Sequence, residues 1–148
     1  MTTKSRTIVS SVASDSHSWN LVFLQLWLEE RGFEVRNLGN CVTADEIARA
    51  CAASPPDVLV ISSVNGHGAV EGFGVLEALK AVGRFASTRV VIGGKLSTST
   101  EGLSELRRSL LEGGFDGVFV GPSAVAAFEG YLQVCGLLPS IEAELVAA

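Results

Sequence analysis

Residues 14–20 read Ser-Asp-Ser-His-Ser-Trp-Asn. Asp15 and His17 are separated by one residue in a polar, serine-rich stretch that reads as loop. At that spacing a loop can fold so that the Asp15 carboxylate accepts a proton from one imidazole nitrogen. The other nitrogen is then held neutral and pointed outward, as in most ligating histidines. One histidine cannot hold a bare ion tightly, since zinc wants three or four ligands. A metal that brings its own equatorial ligands needs only an axial one, and a corrin or a haem meets that requirement. A plainer reading of the pair stays open, with Asp15 capping the following helix and His17 an ordinary polar loop residue.

Other residues with chemical potential fall at similar places. Residues 62–68 read Ser-Ser-Val-Asn-Gly-His-Gly, residues 93–95 Gly-Gly-Lys, and residues 121–123 Gly-Pro-Ser. Gly66, Gly68, Gly93 and Gly94 remove side chains where strands are expected to end, which lets a bulky group approach the backbone. With the small hydroxyl of Ser62 they could leave a slot running between a sheet and its helices. Turn-making is the plain alternative for the glycines. His67 reads as a loop residue near a ligand rather than a second ligand to metal.

The elements that position these loops follow from the apolar pattern. Strands are expected at residues 7–13, 33–38, 57–62, 89–92 and 116–120. Helices are expected at 19–31, 44–53, 69–82, 101–112 and 123–135. Thr43 followed by Glu46 is a capping box for the second helix. Five strands separated by helices demand a parallel sheet with right-handed crossovers. The reading is an α/β, flavodoxin-like, doubly wound sheet in the order 2-1-3-4-5, one domain over residues 1–148. In that order the strands reverse direction of winding between the first and third, and ligands bind outside their carboxyl ends. The four loops above share that rim. Residues 97–100 read as a loop into a helix, and residues 141–148 as an extra helical turn or a frayed end.

Composition excludes several classes. Hydrophobic residues make up 47% and charged residues 18%, which favours strands buried on both faces over a disordered chain. The net charge of −5, with no basic cluster, argues against nucleic acid and against an anionic membrane surface. No apolar run is long enough to span a bilayer, and the polar start does not read as a signal peptide. Cys41, Cys51 and Cys135 are odd in number and form no CxxC pair, so free thiols in a cytoplasmic protein are expected. The first helix, WNLVFLQLWL over residues 19–28, has more apolar surface than one stripe requires. The excess either covers a ligand, meets another subunit, or is ordinary exposed apolar surface.

The set Asp15-Ser16-His17-Ser18-Trp19-Asn20 resembles the Asp-x-His-x-x-Gly signature of cobalamin-binding domains. Ser62-Ser63-Val64 resembles that family's Ser-x-Leu element, and Gly93-Gly94 its Gly-Gly element. The three occur in the family's order, and the likeness runs from the first strand to the last helix. Within the family, a chain of this size without a helical cap is similar to the small subunit of glutamate mutase (methylaspartate mutase).

This resemblance implies a cofactor, adenosylcobalamin, bound with its dimethylbenzimidazole displaced from cobalt. His17 would be the axial cobalt ligand and Asp15 its hydrogen-bond partner. The nucleotide tail would lie along Ser62, Val64, Gly66, Gly93 and Gly94, with Ser16, Asn20 and Pro122 nearby. A separate large barrel-type subunit would hold the amino acid substrate. The pair would be an isomerase using radical chemistry to interconvert L-glutamate and 3-methylaspartate, with no catalytic residue in this chain. Two positions depart from the pattern. Asn20 stands where the signature has glycine, and Val64 where it has leucine. Asn20 tolerates a left-handed turn and places a side chain where the tail passes.

Three rivals are weighed against this. A stand-alone corrinoid carrier or B12 sensor would be expected to have a helical cap before the first strand. A flavin-mononucleotide protein would use Ser14, Ser16 and Ser18 for a phosphate, but Asp15 puts negative charge beside it. A signalling receiver needs an aspartate and a lysine where this chain has Ser62 and Gly121.

Overall fold

The third strand reads VLVISS, with no polar residue before its end, as a strand covered on both faces must. In the computed structural model, which describes residues 4–83, 87–99 and 101–138, this strand is the centre of a five-stranded sheet. The elements run β1 (Arg6–Ser10), α1 (Trp19–Glu30), β2 (Glu34–Gly39), α2 (Ala44–Ala53), β3 (Val58–Ser63), α3 (Gly68–Ala81), β4 (Arg89–Gly94), α4 (Leu103–Gly113), β5 (Gly117–Phe119) and α5 (Ala124–Val134). The sheet order is β2-β1-β3-β4-β5 and every pairing is parallel. The flavodoxin-like order expected from the sequence is the one observed.

Alternate residues of the strands feed two cores. Val9, Val58, Val60 and Val91 pack under α1 and α5, against Leu21, Leu28, Phe128 and Leu132. Ile8, Leu59, Ile61 and Ile92 pack on the other face, against Ile47, Val75 and Leu110 of α2, α3 and α4. Trp27 stacks on Phe128 at 5.6 Å, joining α1 to α5. The Arg31 guanidinium lies 3.7 Å from the Trp27 ring centroid and pairs with Glu129 at 3.1 Å. The side chain of Thr43 accepts from the Glu46 amide at 3.2 Å, which is the expected cap of α2.

Two strand ends differ from the sequence reading by more than one residue. β1 stops at Ser10 rather than running to residue 13. A register irregularity against β2 at Val9/Ser10 turns the chain out, and the Ser11 amide donates to the Gly39 carbonyl instead. β4 runs two residues further than expected, because Ser62 pairs with Gly93 and Ser63 with Gly94. The sequence reading of residues 141–148 lies outside the described residues. Among the described residues no helix is long and apolar enough to cross a membrane.

Candidate functional site

β1 and β3 are neighbours whose following helices, α1 and α3, lie on opposite faces of the sheet. The crevice at their carboxyl ends receives the loop of residues 14–18. The Asp15 side chain is fully buried there and its carboxylate is saturated with donors. Oδ1 accepts from the His17 amide at 3.0 Å and lies 2.7 Å from His17 Nδ1. Oδ2 accepts from the Ser63 hydroxyl and from the Val64 amide, each at 2.8 Å. Burial alone would raise the Asp15 carboxyl. The hydrogen bonds outweigh it and hold the group well below the usual carboxylate range.

An ionised carboxylate can only accept, so Nδ1 carries the proton. In the neutral imidazole the lone pair is then on Nε2. The His17 side chain is half exposed, and Nε2 has no hydrogen-bond partner among the described residues. Asp15 does not cap α1. The cap position is Ser18, without a side-chain cap hydrogen bond. The capping role considered for Asp15 therefore fails on geometry.

The loop is braced from three sides. The Cys41 amide donates to the Asp15 carbonyl at 2.9 Å, and the Asn40 amide side chain donates to the Ser16 carbonyl at 2.8 Å. Cys41 adopts a left-handed φ of 50° to do so, a strained choice for a residue with a side chain. From α3, Glu71 accepts from the Ser14 amide at 3.1 Å and from its hydroxyl at 2.5 Å. Asn65 donates to the same hydroxyl at 2.9 Å.

Beside this loop a cavity of about 200 Å3 opens between the sheet and helices α1 and α5. Its walls include Trp19 and Phe23 of α1, Val125 of α5, Ser62 and Val64 of β3 and its loop, and the Gly93–Gly94 pair. A Cβ at Gly94 would collide with the Ser63 carbonyl, and its φ of 107° suits glycine alone. A Cβ at Gly93 would come within 2.7 Å of the Phe119 carbonyl. The two glycines are thus needed by the neighbouring backbone as well as lining the slot. Trp27, Phe128 and the Arg31–Glu129 pair join the two helices.

The buried Asn20 also lines this cavity. It sits in the first turn of α1 with ordinary helical backbone, so the left-handed turn considered for it does not occur. Its side-chain nitrogen donates to Ser62 Oγ at 2.8 Å. Successive residues of β3 thus serve different seats. Ser62 faces the slot, and Ser63 on the opposite face holds Asp15.

The structure brings Asp15, His17, Asn20, Ser62, Val64, Gly93 and Gly94 together around loop and slot. Three expected residues stand apart from the slot lining. Gly66, φ 88°, is packed on Thr98, where a Cβ would come within 2.7 Å of the methyl group. Ser16 is exposed and contributes only its carbonyl, to Asn40. Pro122 is exposed in the rim loop after β5. His67 is an exposed cap residue of α3. Ser63, Asn40, Cys41, Asn65 and Glu71 were not singled out from the sequence for a role at the site. Among the described residues no cluster of three His, Cys, Asp or Glu side chains could hold an ion by itself.

A family model described as B12 binding domain matches residues 5–129. The chain belongs to the B12-binding domain family. Within that class it is similar to the protein named glutamate mutase sigma subunit from Halobacterium salinarum, 33% identical over 126 residues, covering 85% of this chain and 81% of the relative. The subunit of the same name from Carboxydothermus hydrogenoformans is 29% identical over 112 residues, covering 76% and 81%. A solved cobalamin-binding protein from Desulfitobacterium hafniense DCB-2 shares the fold, with a TM-score of 0.68 at 21% identity. That match covers 89% of this chain, which spans 57% of the solved one.

Proposed function

We propose that this chain is the cobalamin-binding subunit of an adenosylcobalamin-dependent carbon-skeleton mutase. The observation that carries the reading is the Asp15–His17 pair, 2.7 Å apart, at the mouth of an apolar slot. The residues fit a corrinoid on three counts. One imidazole nitrogen is uncommitted. The slot has room beside it for a flat heterocycle. A buried acceptor in the slot, Asn20 Oδ1, lacks a partner among the described residues.

In this reading His17 Nε2 would hold the cobalt, and Asp15 would fix the tautomer and direction of the imidazole. Ser62, Val64, Gly93 and Gly94 seat the nucleotide tail, with Ser16, Gly66 and Pro122 shaping the rim. When bound, the cofactor supplies radical chemistry, and the domain supplies binding and orientation. The relatives are named glutamate mutase sigma subunits, and the proposal extends this to interconversion of L-glutamate and 3-methylaspartate with a separate large subunit of barrel type. Trp19 and Phe23, 66% and 50% exposed at the slot, are the surface that such a subunit would cover. The whole chain, residues 1–148, acts as one domain in this scheme, in the cytoplasm.

Electron paramagnetic resonance of the chain with cob(II)alamin tests the ligand. Wild type labelled with 15N-histidine is expected to show coupling to one 15N nucleus, and His17→Ala to lose it while keeping its circular dichroism. Unchanged coupling in the variant refutes His17 as ligand. Co-purification with a candidate large subunit, followed by an assay of 3-methylaspartate formation, tests the reaction. A chain that binds cobalamin but supports no rearrangement with that subunit is a carrier instead.

A further inference from the structure

Two polar groups face the otherwise apolar slot, and their hydrogen-bonding capacities are complementary. Asn20 is 6% exposed and Ser62 5%. The Asn20 nitrogen is 2.8 Å from Ser62 Oγ and 3.5 Å from the Ser62 carbonyl. A carbonyl only accepts, so the amide is oriented with its NH2 toward Ser62. Ser62 Oγ therefore receives its hydrogen bond from Asn20, and its own proton has no acceptor among the described residues. Asn20 Oδ1 is buried without a donor among the described residues. An orphaned buried amide oxygen is costly, and a ligand that supplies a donor recovers that cost.

We propose that Asn20 and Ser62 together read the lower base of the corrinoid tail, selecting a base whose edge presents a ring nitrogen acceptor next to an amino donor. Ser62 O–H donates to the ring nitrogen, and Asn20 Oδ1 accepts from the amino group. Adenine has such an edge. Dimethylbenzimidazole has a ring nitrogen but only C–H groups beside it, leaving the Asn20 oxygen unpaired. The glycine of the family signature at this position has no group for the second contact, so the selectivity belongs to this chain's asparagine. The inference rests on the proposal that a corrinoid tail occupies the slot.

The test measures dissociation constants of the purified chain for two cobamides in the cobalt(II) state that differ only in lower base, adenine or dimethylbenzimidazole. Absorbance titration reads both. Wild type is expected to prefer the adenine form by about tenfold or more, the size of one buried polar mismatch. Asn20→Gly and Asn20→Ala are expected to lose the preference, chiefly by binding the dimethylbenzimidazole form better. Two variants guard against one that folds poorly, and circular dichroism checks each. Equal affinities in wild type overturn the inference, as does a preference that survives in both variants. Binding of neither corrinoid overturns the cobalamin reading itself, a different result from binding both alike.

Discussion

The Asp15 carboxylate spends all its acceptor capacity on four donors, two from His17 and one each from Ser63 and Val64. Asp15→Asn replaces one of these oxygens with a donor and sets it against an amide or a hydroxyl. The expected cost is about 1–3 kcal/mol of stability, read from urea denaturation, with loss of His17 orientation. Cys51 makes a second prediction at this scale. Burial pushes its thiol up to about 11, against the opposing charge of Arg36. A thiol raised by folding stabilises the native state below the unfolded value of about 8.5. That contribution is lost as pH rises through the folded value. Denaturation midpoints should therefore fall between about pH 9 and 11, and the fall should shrink in Cys51→Ala. At neutral pH a thiol reagent should modify exposed Cys41 and spare Cys51 until the chain unfolds. The Asp15–His17 pair was legible in the sequence because its chemistry is local, two residues apart. Glu71 and Asn40 were not, because nothing near Ser14 or Ser16 in the chain announces a brace 57 or 24 residues away.

At the scale of elements, two glycines of identical composition have opposite roles. Gly94 ends β4 at φ 107°, with the Ser63 carbonyl where a Cβ would go. Gly94→Ala should destabilise the chain by at least about 2 kcal/mol and disturb the slot. Gly74 lies within α3 with nothing near its missing Cβ. Gly74→Ala should stabilise by about 0.5–1 kcal/mol, since alanine loses less backbone entropy in a helix. Thermal melts of the two variants should move in opposite directions. The sequence places all ten elements, because strands of valine and isoleucine alternate with helical spacing. It misplaces the end of β1, which depends on how β2 pairs at Gly39 and not on residues 11–13 themselves. It also assigned Gly66 to the slot, though the residue's tight packing is against Thr98, a contact visible only once the loops are assembled.

At the scale of the molecule, α1 and α5 form the two walls of the slot and are tied through Trp27, Phe128, Arg31 and Glu129. Arg31→Ala removes both the ring contact and the ion pair. A loss of about 1 kcal/mol is expected, most of it from the stacked guanidinium. A double-mutant cycle with Glu129→Ala should assign no more than about 0.5–1 kcal/mol to the half-exposed pair, and salt should diminish it. The excess apolar surface noted on the first helix lies partly in the slot and partly open, with Val22 and Leu26 50% and 58% exposed.

The two serines that end β3 bind the halves of the site into one mechanical unit. Because consecutive side chains of a strand point to opposite sides, inserting a single residue before Ser62 would move its hydroxyl to the aspartate's side and set the new residue against the asparagine. The asparagine would lose its anchor, whereas a one-residue deletion would set Val64 where Ser63 now props the aspartate. The loop that carries His17 and the slot beside it are thus wagered on one register, and evolution can tune either only by keeping the parity of that strand.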